Sequence, residues 1–171
     1  MGHSPFQLTS SAFADGQWIP LDHTGAGRDL SPPLHWSGAP LQAQSYTLVF
    51  EDPDAPHGTW LHWLLFDIPA PIGRLPAGLP RSPYLANGAR HGLSWGVHHF
   101  SRLGYHGPLP PPGSAHRYRF QLIALDTLLV LPAGSTIADV RSAMAGHDLG
   151  RAELWGIYSC ERQSLRSSST V

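Results

Sequence analysis

Hydrophobic positions along this chain fall into short runs, and three of them have the spacing of strands. Tyr46 to Glu51 places Tyr46, Leu48 and Phe50 on one face, which Asp52 would share if the strand runs that far. Trp60 to Ile68 is apolar at both parities, the pattern of a central strand covered on both sides. Arg117 to Leu125 alternates, with Tyr118, Phe120, Leu122 and Ala124 on one face and Arg117, Arg119 and Gln121 on the other. His116 has the parity of Tyr118, so both are expected to point to the core side at the strand's mouth. The three segments are expected to share one sheet. A helix is expected after Thr136, which forms a capping box with Asp139. Ile137, Val140 and Met144 supply its apolar stripe and Gly146 its stop. A second short helix is expected over Asp148 to Glu153, before a last strand over Leu154 to Tyr158.

Composition sharpens this picture. The 171 residues fit one domain, and the 18 Gly and 17 Pro are spread too densely for long helices. Between Gly73 and Gly104 lies a long irregular segment, of the kind that lines a site or stays flexible. The Ser-rich stretch 163–171 is expected to be a disordered tail of a single domain spanning 1–171. Charged residues are only 13% and the net charge is −1, which argues against nucleic-acid partners and acidic membranes. The single cysteine, Cys160, rules out an internal disulfide. The start, Met1 to Phe6, has no secretory pattern, and no apolar run reaches the ~18 residues of a membrane span. A cytoplasmic protein without stable membrane insertion is expected.

Candidate chemistry gathers at two places. Asp52-Pro53-Asp54-Ala55-Pro56 holds two acids between prolines, and the strand that follows carries His62. Proline fixes φ, so this connection is stiff. An acid before proline is also a common turn formula. A histidine inside an apolar strand is costly as a cation unless a carboxylate compensates, and Asp52 is the obvious candidate. The second place runs from Gly107-Pro108-Leu109-Pro110-Pro111-Pro112-Gly113 to His116-Arg117-Tyr118. Gly107 could offer a backbone N–H to an anion at close approach. The 11 histidines raise the question of metal, and Asp52, His62 and His116 are ligand types for a facial site. No spaced metal motif occurs, so no zinc or iron is expected. No nucleophile elbow, phosphate-binding loop or dinucleotide fingerprint is present.

Taken in order, Ser31-Pro32-Pro33-Leu34-His35-Trp36, Asp52 to Pro56, His62-Trp63, Gly104 to Pro108, His116-Arg117-Tyr118 and Gly146 to Tyr158 resemble the phosphatidylethanolamine-binding protein family. That is the group that includes Raf kinase inhibitor protein and its bacterial homologues. The resemblance implies a mainly β fold with a large central sheet, a second smaller sheet and a few short helices. It implies a small anion pocket for phosphate-like or carboxylate-like groups, lined by Asp52, His62, the backbone at Gly107, His116 and Tyr118. Asp54 and Arg117 would brace it. A homodimer is the expected assembly, and no cofactor is implied. Leu109 stands where many relatives have Cys, and the His- and Trp-rich stretch from Arg90 to Arg102 is particular to this chain. The leading expectation is a binding protein for a phosphorylated or carboxylated small molecule, or for a partner's phosphoryl group. The alternatives are an enzyme using the Asp/His/Tyr pocket for acid–base chemistry, and an inhibitor of a protease or kinase.

Overall fold

A computed structural model describes residues 4–161, so the expected tail at 163–171 lies outside the described residues. The strands are β1 (Gln7–Thr9), β2 (Gln17–Trp18), β3 (Leu34–Ser37), β4 (Ser45–Asp52), β5 (Trp60–Pro69), β6 (Arg74–Leu75), β7 (Arg90–His91), β8 (His116–Leu125) and β9 (Asp148–Tyr158). One helix, α1 (Ile137–Met144), lies between β8 and β9, and Leu21–His23 forms a single 3-10 turn. Six strands make the large sheet in the order β2-β9-β8-β4-β5-β7, and β1-β3-β6 make the small one. The three expected strands are therefore neighbours at the centre of one sheet. The mainly β architecture with two unequal sheets is as expected.

The large sheet is buried on both faces because it is the middle of three layers. One face carries Tyr46, Leu48, Phe50, Trp63, Leu65, Tyr118, Phe120 and Leu122, which pack with Leu34, Trp36 and Leu75 of the small sheet. The other carries Val49, Leu64, Phe66, Ile123 and Leu125, which pack with Ile137, Val140 and Met144 of α1. This is why β5 reads as a continuous apolar run. The capping box on α1 is complete: Thr136 accepts from the Asp139 N–H, and the Asp139 side chain accepts from Thr136.

The expected helix over Asp148 to Glu153 is replaced by strand. β9 pairs with β8 from His116↔Tyr158 to Leu125↔Asp148, and its even positions from Ala152 to Tyr158 are buried. Inter-strand hydrogen bonds to a central partner outweigh a weak local helix preference in so short a segment. No described helix is long and apolar enough to cross a membrane.

Candidate functional site

The site forms where β4, β5 and β8 end together. Asp52 closes β4, His62 stands near the start of β5 and His116 opens β8. A bulge sets the direction of His62. Phe50 pairs with Trp63 while Glu51 pairs with Leu61, so β5 carries one extra residue at position 62. Without it, His62 would share the face of Leu64 and Phe66. With it, the ring turns to the opposite face and packs against Phe50 and Tyr118, at 5.2 and 5.5 Å between ring centres. His116 lies 6.4 Å beyond Tyr118, so three polar rings stand in a row on one face.

Asp52 joins them, but not in the expected pairing. Its Oδ2 accepts from His116 Nδ1 at 2.7 Å, and its Oδ1 accepts from the Asp54 N–H at 2.8 Å. His62 instead donates from Nδ1 to the carbonyl of His106 at 2.7 Å. A carbonyl only accepts, so this bond fixes the tautomer and leaves His62 Nε2 without a proton. Burial, only partly offset by that hydrogen bond, lowers the His62 pKa to about 4, so the ring is neutral at neutral pH. The Tyr118 hydroxyl is buried beside the Asp52 carboxylate and makes no well-formed hydrogen bond. Burial first, and the Asp52 charge second, push its pKa up, so it stays a protonated donor. Arg117 grips Asp54 through Nε and Nη2 at 3.0 and 2.9 Å, which lowers the Asp54 pKa to about 2. The Arg117 N–H adds a third bond at 2.9 Å, so this pair ties the β4–β5 turn to β8.

Gly107 is placed differently from expectation. Its N–H donates to Asp29 Oδ1 at 2.7 Å, so that donor is not offered to an anion. A Cβ at Gly107 would lie 2.4 Å from the His23 carbonyl, so close packing, not ligand approach, demands glycine here. Asp29 had no signal in the sequence beyond a Gly-rich surrounding, yet it organises the layer behind the site. It sits at φ 57°, accepts from Gly107, and holds Arg81 Nη2 at 2.6 Å. Arg81 Nε also donates to the Tyr105 carbonyl at 2.8 Å. The segment 105–107 is thereby fixed, and with it the His106 carbonyl that orients His62.

Above Asp52, His62, His116 and Tyr118 opens a cavity of about 240 Å³. Its walls are Pro56, Trp60, Trp95, Val97 and the Leu109–Pro111 turn, drawn from the two proline-bounded segments and the Trp-rich 90–102 stretch but not singled out as individual site residues by the sequence. Trp60 Nε1 is a second buried donor without a partner. Cys160 touches the same turn, donating its thiol to the Pro110 carbonyl at 2.9 Å. His98 and His99 are exposed loop residues that do not line the cavity. Among the described residues no three His, Cys, Asp or Glu side chains are grouped so as to hold a metal ion.

A layered β protein with a recessed Asp/His/His/Tyr pocket at the strand ends is the class these features define. The family model described as phosphatidylethanolamine-binding protein matches residues 9–159, and the chain belongs to that family. A UPF0098 protein of Methanothermobacter thermautotrophicus is 44% identical over 88% of this chain and 97% of its own length. A UPF0098 protein of Aquifex aeolicus is 37% identical over 92% of this chain and 90% of its own. Two solved structures have the same fold. A phosphatidylethanolamine-binding protein homologue from Chlamydia trachomatis superposes with a TM-score of 0.80 at 36% identity, over 90% of this chain and 97% of that one. The Escherichia coli protein YbcL, described as a new member of the mammalian family, gives 0.79 at 29% identity, over 91% and 99%.

Proposed function

We propose that the protein binds a small molecule through an acidic head group, a phosphate or carboxylate, seated on Asp52, His62, His116 and Tyr118. The observation that carries this reading is the Asp52–His116 pair at the floor of the cavity, beside a buried Tyr118 hydroxyl that no protein group holds in a well-formed hydrogen bond. A buried donor without a partner costs free energy that a bound acceptor returns. His116 spends Nδ1 on Asp52, so its Nε2 is the edge left for a ligand.

The same chemistry restricts the form of the ligand. Asp52 and the neutral His62 both accept hydrogen bonds and donate none to the cavity. A fully ionised head group would face acceptors and the Asp52 charge. The head group therefore carries a proton, as hydrogen phosphate or a protonated carboxyl, or takes one up on binding. Phosphate monoesters lose that proton near pH 6. Above this range, affinity for a phosphate monoester is expected to fall by up to about tenfold per pH unit, because each bound head group then draws a proton from solution.

Calorimetric titration of methyl phosphate tests this directly. The expected result is proton uptake, seen as a dependence of the heat on buffer ionisation, and at least about tenfold weaker binding by His116→Ala. Equal binding by wild type and His116→Ala defeats the assignment. A second reading, acid–base catalysis, draws on the same Asp52–His116 pair, which is the arrangement of an oriented general base. Turnover of a bound acid that is lost in His116→Ala and in Tyr118→Phe, with binding retained in Tyr118→Phe, would favour it.

A further inference from the structure

We infer that the cavity takes a free, planar aromatic acid, with its phosphate or carboxylate on the Asp52–His62–His116–Tyr118 floor and its ring against Trp60, Trp95 and the Leu109–Pro111 turn. The inference rests on the acid head-group reading and goes beyond it. Size is the first argument. At ~30 Å³ per water, a cavity of about 240 Å³ has room for roughly eight waters. A phosphate or carboxylate replaces only about two or three of these, so a head group alone leaves the upper part empty.

The chemistry of the walls is the second. Above the floor the lining is Ala55, Pro56, Trp60, Trp95, Val97 and Leu109 to Pro111, with His57 the one ionisable side chain among them. Apolar walls over a small polar floor suit a ligand with a ring above its acid group. Indole edges and proline rings favour flat π-systems over flexible chains.

The aromatic wall is, besides, built and held in place. Trp95 has φ 69°, a conformation that a bulky residue adopts only when its surroundings impose it. The imposing contacts are on both sides. The Trp95 N–H donates to the Leu61 carbonyl at 2.8 Å, and the Leu61 N–H donates to the Gly96 carbonyl at 2.9 Å. A Cβ on Gly96 would lie 1.9 Å from the His99 carbonyl, so the turn closes only with glycine. Arg102 covers the indole at 4.5 Å, while Trp60 and His62 meet it edge-on at 5.4 and 5.6 Å. The turn carrying Leu109 is fixed as well, by Gly25 N–H to the Pro108 carbonyl at 2.9 Å and by Cys160 to Pro110. A strained residue held in a cavity wall is a feature of ligand sites.

The test compares methyl, cyclohexyl and phenyl phosphate, and acetate with benzoate, by calorimetry and by NMR of the indole N–H signals. Phenyl phosphate is expected to bind at least about tenfold more tightly than methyl phosphate, and more tightly than cyclohexyl phosphate, with Trp60 and Trp95 signals shifting. Benzoate is expected to exceed acetate likewise. In Trp95→Asn, which tolerates the left-handed backbone, the ratio of phenyl to methyl phosphate affinity is expected to shrink to about threefold or less. Equal binding of methyl and phenyl phosphate overturns the inference and leaves the head-group reading standing, as does cyclohexyl phosphate matching phenyl. A phosphotyrosyl peptide binding more tightly than phenyl phosphate overturns the free-ligand part. If no phosphate or carboxylate probe binds, the head-group reading itself fails. The wild-type comparison decides the matter even if the Trp95 variant does not fold.

Discussion

At the scale of single residues, His62 sits in an environment far from that of solution. Its pKa lies at about 4 in the folded protein against an ordinary value of 6.5. The unfolded chain therefore takes up a proton that the folded chain refuses. The cost is absent above about pH 6.5, grows as pH falls, and is complete near pH 4. Its size is about 3 kcal/mol. His91 and His106, also lowered by burial, act in the same direction. Asp54 acts at lower pH: held down by Arg117, it loses its contribution as pH falls toward 2. Urea unfolding at pH 7 and at pH 4.5 is expected to show a marked loss of stability in wild type and a shallower one in His62→Gln. A second residue prediction concerns Asp29. Replacing it by Ala strands the Gly107 N–H and releases Arg81, and is expected to cost about 1–3 kcal/mol. If the pinning of His62 runs through this layer, methyl phosphate binding should weaken as well. An unchanged midpoint in denaturant would show that Asp29 bears no weight there.

At the scale of elements, the site depends on how strand ends and turns are fixed. The bulge at His62 is an element-level decision. Moving that side chain to the site face required one extra residue in β5, and no change in hydrophobic pattern announces it. The loop after β7 is the second such element. Gly96→Ala is expected to open the turn that holds Trp95, and so to abolish selectivity for aromatic acids while the sheet stays intact. Circular dichroism and probe binding would check this together; retained selectivity would show that the turn tolerates a side chain. Helix α1 lies on the other face of the sheet. Thr136→Ala removes its cap, is expected to cost about 1 kcal/mol, and should leave head-group binding unchanged.

At the scale of the molecule, three layers explain why a pocket exists at all. The large sheet is sealed by the small sheet on one face and by α1 on the other, so its strand ends are the places where polar side chains can collect. β4, β5 and β8 are adjacent in the sheet, and their ends bring together Asp52, His62 and His116 from distant parts of the chain. Ion pairs reinforce the middle layer from outside: buried Glu51 on β4 is met by Arg119 of β8 and by Arg141 of α1. Breaking the first of these with Arg119→Ala leaves a buried carboxylate with only a distant partner. The expected loss is about 3–5 kcal/mol, read by denaturant unfolding.

Much of this was legible in the amino-acid order. Central strands show themselves by unbroken apolar runs, because both faces are covered; the capping box and stripe of α1 are local chemistry; and the stiff Pro-bounded acids and the His116/Tyr118 parity marked the site. What the sequence did not contain is what depends on distant partners. β9 is strand because β8 lies beside it. Asp52 answers His116 and not His62, since the His106 carbonyl already takes the hydrogen bond of His62 Nδ1. Gly107 gives its N–H to Asp29, 78 positions away in the chain. The walls of the cavity come from loops whose meeting no periodicity encodes. Pattern is set by which side of a segment is buried, and a residue carries that information itself. Pairing, tautomer and cavity shape are set by which atoms meet, and only the folded chain decides that.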